Sequence, residues 1–325
     1  MTSQDKTSEF RRAEQFQLTM QLTREQYSLL AEWAASIPTL YFLDICVVGV
    51  TKLSEDFLAN NDRKSKIVRH LRSLDRPQHK FSYLLALMEK VSDLRGTLSD
   101  SELEAQLLGD LNALRVFFKQ AKVYESDEFV TQYLQELRRY PVELERSKYL
   151  EFLEMVNNQL GLKDPISLAC RLQKAMEILA AADTLKIDKK HPVVILVLSC
   201  LYGNSAAKKL MKFKADPAKF NAENVLSDIM AITRFARTKL QIEHLGREGK
   251  GQFLRADFLT DDAGLTGVIN CFTPDSVKHE DLSDICETSY EFTVKLKQLL
   301  SEIGTEEYEQ LLDYIAPPLQ DGSQT

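Results

Sequence analysis

Two short stretches constrain this chain most: Tyr41-Phe42-Leu43-Asp44-Ile45-Cys46-Val47-Val48 and Phe258-Leu259-Thr260-Asp261-Asp262-Ala263-Gly264-Leu265. Each sets a carboxylate at the edge of an apolar, strand-like run. An ionised carboxylate taken out of water costs several kcal/mol, comparable to the stability of a whole domain, unless it is paired or bound to a cation. In parallel sheets, ligands collect beyond the carboxyl ends of the strands. Two such acids, far apart in sequence, therefore point to strand ends converging on one cation site.

The 325 residues suffice for one large domain or two ordinary ones, and 44% hydrophobic with 27% charged residues is normal for a globular protein. No apolar run approaches the ~20 residues that span a bilayer, and Met1 to Arg12 lacks the apolar core of a secretory signal. These features predict a cytoplasmic protein without membrane contact. Five scattered cysteines, with no Cys-x-x-Cys, and only five histidines argue against zinc and for reduced thiols. The net charge of −7 argues against bulk electrostatic coating of DNA, which needs many cationic phosphate contacts. It leaves room for a local basic strip beside an acidic metal site.

Along the chain, a helix is predicted from Thr23, its N-cap, through Tyr27, Leu30, Ala31 and Ala34 to the break at Pro38. Leu40–Val50 reads as a buried strand running into a helix. Residues 54–75 and 81–95 read as helices, and three to four more fill 99–183, with breaks at Tyr124–Glu128, Pro141 and Gly161–Pro165. Residues 191–213 carry conflicting signals. Val and Ile favour strand; the length and the Ala-Lys-Lys-Leu-Met tail favour two helices joined at Gly203-Asn204. A helix over 223–244, a strand over 253–259, a short strand or helix over 263–271, and helices over 279–302 and 305–314 complete the pattern. Strands alternating with helices at both ends of a helical middle imply an α/β core split by an insertion.

Four acids stand out, each with a plainer reading beside it. Asp44 is a metal ligand at a strand end, or a buried Asp bonded to the amides of a strand-to-helix turn. Glu89, in Leu84-Leu85-Ala86-Leu87-Met88-Glu89, lies at the border of an apolar helix face, where a solvated Glu is ordinary. Asp228 shares a face with Ala231, Ile232 and Phe235, or is a first-turn acid of its helix. Asp261 and Asp262 follow a strand, where one of them would suffice as a turn cap.

In this order the four segments resemble the PIN-domain ribonuclease family. The resemblance rests on Phe-Leu-Asp-Ile-Cys-Val-Val around Asp44, the helix with Glu89, Ser-Asp-Ile-Met-Ala-Ile around Asp228 and Phe-Leu-Thr-Asp-Asp-Ala-Gly-Leu around Asp262. It covers 38–95 and 190–272. The last segment is the most specific, because the family has an apolar strand, Thr, any residue, then Asp; this selects Asp262 as ligand and Asp261 as its neighbour. The implied fold is an α/β, PIN-like three-layer core with a parallel sheet at 38–95 and 190–275. It would be interrupted by a helical bundle at 96–189, with helical extensions at 1–37 and 276–325. The family usually follows its first acid with a small hydroxyl residue and then Asn or Ser. Ile45 and Cys46 stand there instead and remove a polar group that could orient a metal-bound water.

The resemblance implies a Mg²⁺- or Mn²⁺-dependent endoribonuclease, a regulated toxin or a defence effector. Asp44, Asp228 and Asp262, with Asp261 beside them, would hold the ion, since these hard cations prefer oxygen ligands. Glu89 would bind a second ion or position the attacking water. The substrate would be RNA in preference to DNA, held by a basic strip containing Arg63, Lys66, Arg69, Arg72 and Arg76; the plainer reading of that strip is a solvated helix face. A second strip, Lys208-Lys209-Leu210-Met211-Lys212-Phe213-Lys214, is weaker. The insertion at 96–189 has the place of a lid, a surface for self-association, or a docking site for an inhibitory protein. Two further readings stand beside the nuclease: a catalytically weak PIN-like interaction scaffold, and an all-helical scaffold whose acids lie far apart in space.

Overall fold

A parallel sheet with helices on both faces organises residues 38 onward. The structure, a computed structural model, describes residues 20–93, 98–282 and 285–316, with the backbone alone over 277–290. The chain divides into two units, Met1–Ile37 and Pro38–Thr325. In the first, α1 (Arg24–Ser36) starts with a capping box between Thr23 and Gln26 and buries no residue; Tyr27, Leu29, Leu30 and Trp33 are exposed.

In the second unit the strands β1 (Thr39–Leu43), β2 (Lys80–Ser82), β3 (Lys122–Val123) and β4 (Arg255–Leu259) pair in parallel in the order β3-β2-β1-β4. All five residues of β1 are buried, as expected for a central parallel strand covered on both faces. Its side chains alternate. Leu40 and Phe42 pack with Leu85, Phe253 and Ala256 on one face, while Tyr41 and Leu43 join Val47, Val48, Phe81 and Leu107 on the other.

The segment from β1 to β2 is a crossover through α2 (Ile45–Val50), α3 (Glu55–Ala59) and α4 (Asp62–Ser73). The single helix expected over 54–75 is broken at Asn60-Asn61, because the Asn61 side chain accepts from Lys64 N and caps a new helix. Likewise β2 precedes α5 (Leu84–Ser92) within the expected helix 81–95; residues 94 and 95 lie outside the described ones.

The helical middle is not a separate bundle. α6 (Asp100–Phe117) and α7 (Asp127–Arg139) flank β3 and bury Leu103, Leu107, Leu111, Leu114, Val130 and Leu134 in the core of β1, β2 and α5. The third strand of the sheet thus comes from within 96–189. α8 (Arg146–Gln159) and α9 (Leu168–Thr184) share a second core with α10 (Pro192–Leu201), α11 (Ser205–Met211) and α12 (Ala222–Arg247). Every residue of α10 is buried. A helix enclosed on all sides needs no polar face, so its Val/Ile content is compatible with helix. α10 and α11 bend by 119° between them, and among the described residues no single helix is long and apolar enough to cross a membrane.

After β4 come α13 (Ala263–Ile269), an antiparallel ribbon of β5 (Phe272–Leu282) and β6 (Ile285–Val294), and then α14 (Leu296–Leu299) and α15 (Thr305–Ile315). The ribbon replaces most of the helix expected over 279–302. The reason is readable afterwards: Thr288, Tyr290, Phe292 and Val294 alternate with polar residues, a period-2 pattern of β-formers. Phe292 and Val294 seal the edge of the second core.

Candidate active site

β1 and β4 run in register and end together, with Leu43 opposite Leu259 and Asp44 N donating to Leu259 O at 3.0 Å. The next residues of both strands build the site. Asp44 occupies the N-cap position of α2 but makes no capping bond. Its Oδ2 accepts from Cys46 Sγ at 3.0 Å and from the Thr260 hydroxyl. The amide-bonded alternative for Asp44 therefore does not apply. Thr260 Oγ1 in turn accepts from Asp262 N at 3.0 Å, so one threonine stitches the two strand ends together.

Asp262 is a cap, as one of the two adjacent acids was expected to be. Oδ1 caps α13, accepting from Gly264 N at 2.7 Å and Leu265 N at 2.9 Å, while Oδ2 faces Lys212 Nζ at 3.3 Å. Asp228, on α12, accepts from the same ammonium at 3.2 Å and from Asn224 Nδ2 at 3.2 Å. Glu89, on α5, is hydrogen-bonded to Asp44. The four acids come from the residue after β1, from α5, from α12 and from the turn after β4, and they lie together, which removes the all-helical reading with distant acids.

Their electrostatics show how crowded they are. Burial, then Asp44 and Asp228, push the Glu89 carboxyl up to about 8, against a smaller pull from Arg234. Burial pushes Asp228 up to about 6, with Lys212 opposing and Asp262 and Asp44 adding to it. A nearby buried acid behaves differently. Burial raises Asp110 too, but hydrogen bonds from Lys52, Lys90 and Tyr83 outweigh it and leave the carboxyl below its ordinary value. Asp110 has enough protein cations; the Glu89–Asp228 group does not.

Among the described residues, no three His, Cys, Asp or Glu side chains are arranged to hold a metal ion. The acids instead form a chain of pairs, Glu89–Asp44 and Asp228–Lys212–Asp262. The donor set is nevertheless all carboxylate, and a cation already stands between two of its members. Oxygen donors of this kind are the ligands that a hard cation such as Mg²⁺ or Mn²⁺ would take.

Several expected roles change. Asp261 does not join the cluster: its carboxylate accepts from Arg63 Nε at 3.0 Å and Lys64 Nζ at 2.6 Å. Those two cations engage it, and its backbone amide donates to Cys46 Sγ at 3.2 Å. Cys46 is thus not the loss of a polar group. Burial, then Asp44, push its thiol up to about 12, so it remains a protonated donor to Asp44.

The basic strip separates by height. The crossover from the end of β1 to the start of β2 forces α4 to run from the carboxylate end of the sheet towards the opposite end. Arg63 and Lys64 lie beside the site; Arg72 is nine residues farther, roughly 14 Å of helical rise, and Arg76 follows near the start of β2. Lys66 and Arg69 pair with Asp62, and Arg72 with Glu55. Of the five residues expected to hold substrate, only Arg63 borders the carboxylates.

Lys212 is the residue that sequence reasoning placed in the weaker strip and the structure places in the site. Thr260 and Arg234, which forms a buried two-pronged pair with Glu143 at 2.7 and 2.8 Å, were not foreseen. The chain matches no family model, no curated protein and no solved structure.

Proposed function

We propose that the chain is a Mg²⁺- or Mn²⁺-dependent phosphodiester hydrolase of PIN-like architecture, acting on RNA. The observation that carries this reading is the meeting of Asp44 and Asp262 at the ends of two adjacent parallel strands, with Glu89 and Asp228 brought to them by α5 and α12. Bound Mg²⁺ or Mn²⁺ would acidify a water and neutralise charge on the attacked phosphate.

The chain's own residues then have distinct tasks. Asp44, Asp228 and Asp262 supply the oxygen ligands. Thr260 and Cys46 orient Asp44 from behind, and α13's amides hold Asp262 by Oδ1 so that Oδ2 stays directed at the cation. Glu89, hydrogen-bonded to Asp44, would bind a second ion or position the attacking water. Arg63 and Lys64, at the rim through Asp261, lie where a substrate backbone would pass.

The second reading, a catalytically weak interaction scaffold of the same fold, draws on Lys212, which already neutralises two of the acids. The deciding experiment is cleavage of labelled single-stranded RNA and DNA with Mn²⁺ or Mg²⁺, by the wild-type chain and by Asp44→Asn/Asp262→Asn. Asn retains the N-cap at 262, so the fold survives the change. Metal-dependent RNA cleavage that falls about 100-fold or more in the variant is the expected result. A folded wild-type protein that cleaves neither polymer would leave the scaffold.

A further inference from the structure

We infer that Lys212 is a tethered counter-ion of this site, its ammonium filling the place between Asp228 and Asp262 that a divalent cation takes and yielding it when the cation enters. The inference rests on the metal-site reading above and adds a regulatory residue to it.

Three observations carry it. First, the ammonium bridges carboxylates from two different elements, at 3.2 Å from Asp228 Oδ2 and 3.3 Å from Asp262 Oδ2. Asp262 Oδ1 is committed to α13, which leaves Oδ2 to the ammonium, while Asp228 Oδ2 is shared between Lys212 and Asn224 Nδ2.

Second, the position is built. Lys212 ends α11 with φ 51° and ψ 33°, in the left-handed region where Gly or Asn is the usual residue. A lysine there costs backbone energy, and the hydrogen bonds its side chain makes in return go to the two acids. α11 is held against α13 at backbone contact distance. A Cβ on Gly264 would lie 2.6 Å from Leu210 N, and one on Gly267 would lie 2.4 Å from Ala206 Cβ. Lys212, two residues past Leu210, is therefore indexed to Asp262, the cap of α13.

Third, the side chain can leave. It is 42% exposed, in contrast to Arg234, which is only 4% exposed against the buried Glu143. A half-exposed ion pair is weak enough to be displaced. While it persists, apparent metal affinity is reduced in proportion to the fraction of molecules whose site is free. Once displaced, the ammonium stays tethered near the site by its four-carbon stem.

The test is calorimetric titration of the full chain with Mn²⁺, no substrate present, comparing wild type with Lys212→Met and with Lys214→Met. The latter removes an exposed charge two residues away and controls for general electrostatics. The expected result is an apparent Kd for Mn²⁺ lower by about 10-fold in Lys212→Met and by less than about 2-fold in Lys214→Met. The metal-free Lys212→Met protein should also melt lower, with Mn²⁺ restoring it. Binding by Lys212→Met but not by wild type would support the inference more strongly. Equal affinities in wild type and both variants would overturn the counter-ion role and leave the metal site standing. No Mn²⁺ binding by any of the three, at millimolar metal, would overturn both.

Discussion

Glu89 shows most clearly how a single residue's environment decides its chemistry. In sequence it is a Glu at the border of a helix face; in the fold it is half-buried against Asp44 and near Asp228, and its carboxyl is pushed from 4.5 up to about 8. A carboxyl raised in the folded state holds a proton that the unfolded chain has already released. The folded state therefore binds more protons between these values, and its stability declines as pH rises through them. Asp228, pushed from 3.8 up to about 6, acts in the same direction over a lower window. With chelator present, the melting temperature is expected to fall between pH 5 and pH 8, and Glu89→Gln should flatten that slope. A slope of the same steepness in Glu89→Gln would assign it to other groups. The residue scale was partly legible beforehand: the types and order of Asp44, Glu89, Asp228 and Asp262 were. What each oxygen contacts was not, because Thr260, Cys46 and Lys212 reach these acids from 216, two and 16 or 50 residues away.

At the scale of elements, the site depends on how closely α11 and α13 approach. Gly264 is required there because a methyl group would meet Leu210 N at 2.6 Å and Ala206 O at 3.0 Å, both backbone atoms that cannot rotate away. Gly264→Ala should therefore cost about 1–3 kcal/mol in denaturant unfolding, as overpacking does, and should weaken the Lys212 link to Asp262. An unchanged unfolding midpoint would mean that the helices part without penalty. Periodicity identified most helices, including the pair joined at Gly203-Asn204. It misassigned the ribbon β5–β6, where a charged sequence with local helical spacing conceals a period-2 alternation that becomes decisive only when Phe292 and Val294 meet a core. It also missed β2 and β3, three and two residues long, since a strand that short has too few positions to display a period.

For the whole molecule, the helical middle and the α/β core are one body of packing. The clearest tie is Glu143 with Arg234, both side chains about 95% enclosed and bonded through two nitrogen–oxygen contacts, joining the segment after α7 to α12 beside the site. Glu143→Ala would strand a buried guanidinium. Its expected cost is about 3–5 kcal/mol, measurable as a large drop in unfolding midpoint, while Glu143→Gln should recover part of it. A loss under about 1 kcal/mol in Glu143→Ala would show that solvent reaches Arg234.

Legible from the residues alone were the mixed α/β class, a buried strand beginning at Leu40 and carrying an acid, the short strand ending before Asp262, and the residue types suited to a hard cation. These are local signals: an apolar run, a cap, a carboxylate where a strand must end. Long-range packing set the rest: β3 comes from the helical middle, Asp261 pairs with Arg63 and Lys64, most of the basic strip runs away from the carboxylates, and Lys212 enters between two of them. Those outcomes depend on contacts between residues distant in the chain. Burial and charge act through space, and spacing along a sequence does not encode which distant oxygen a side chain will meet.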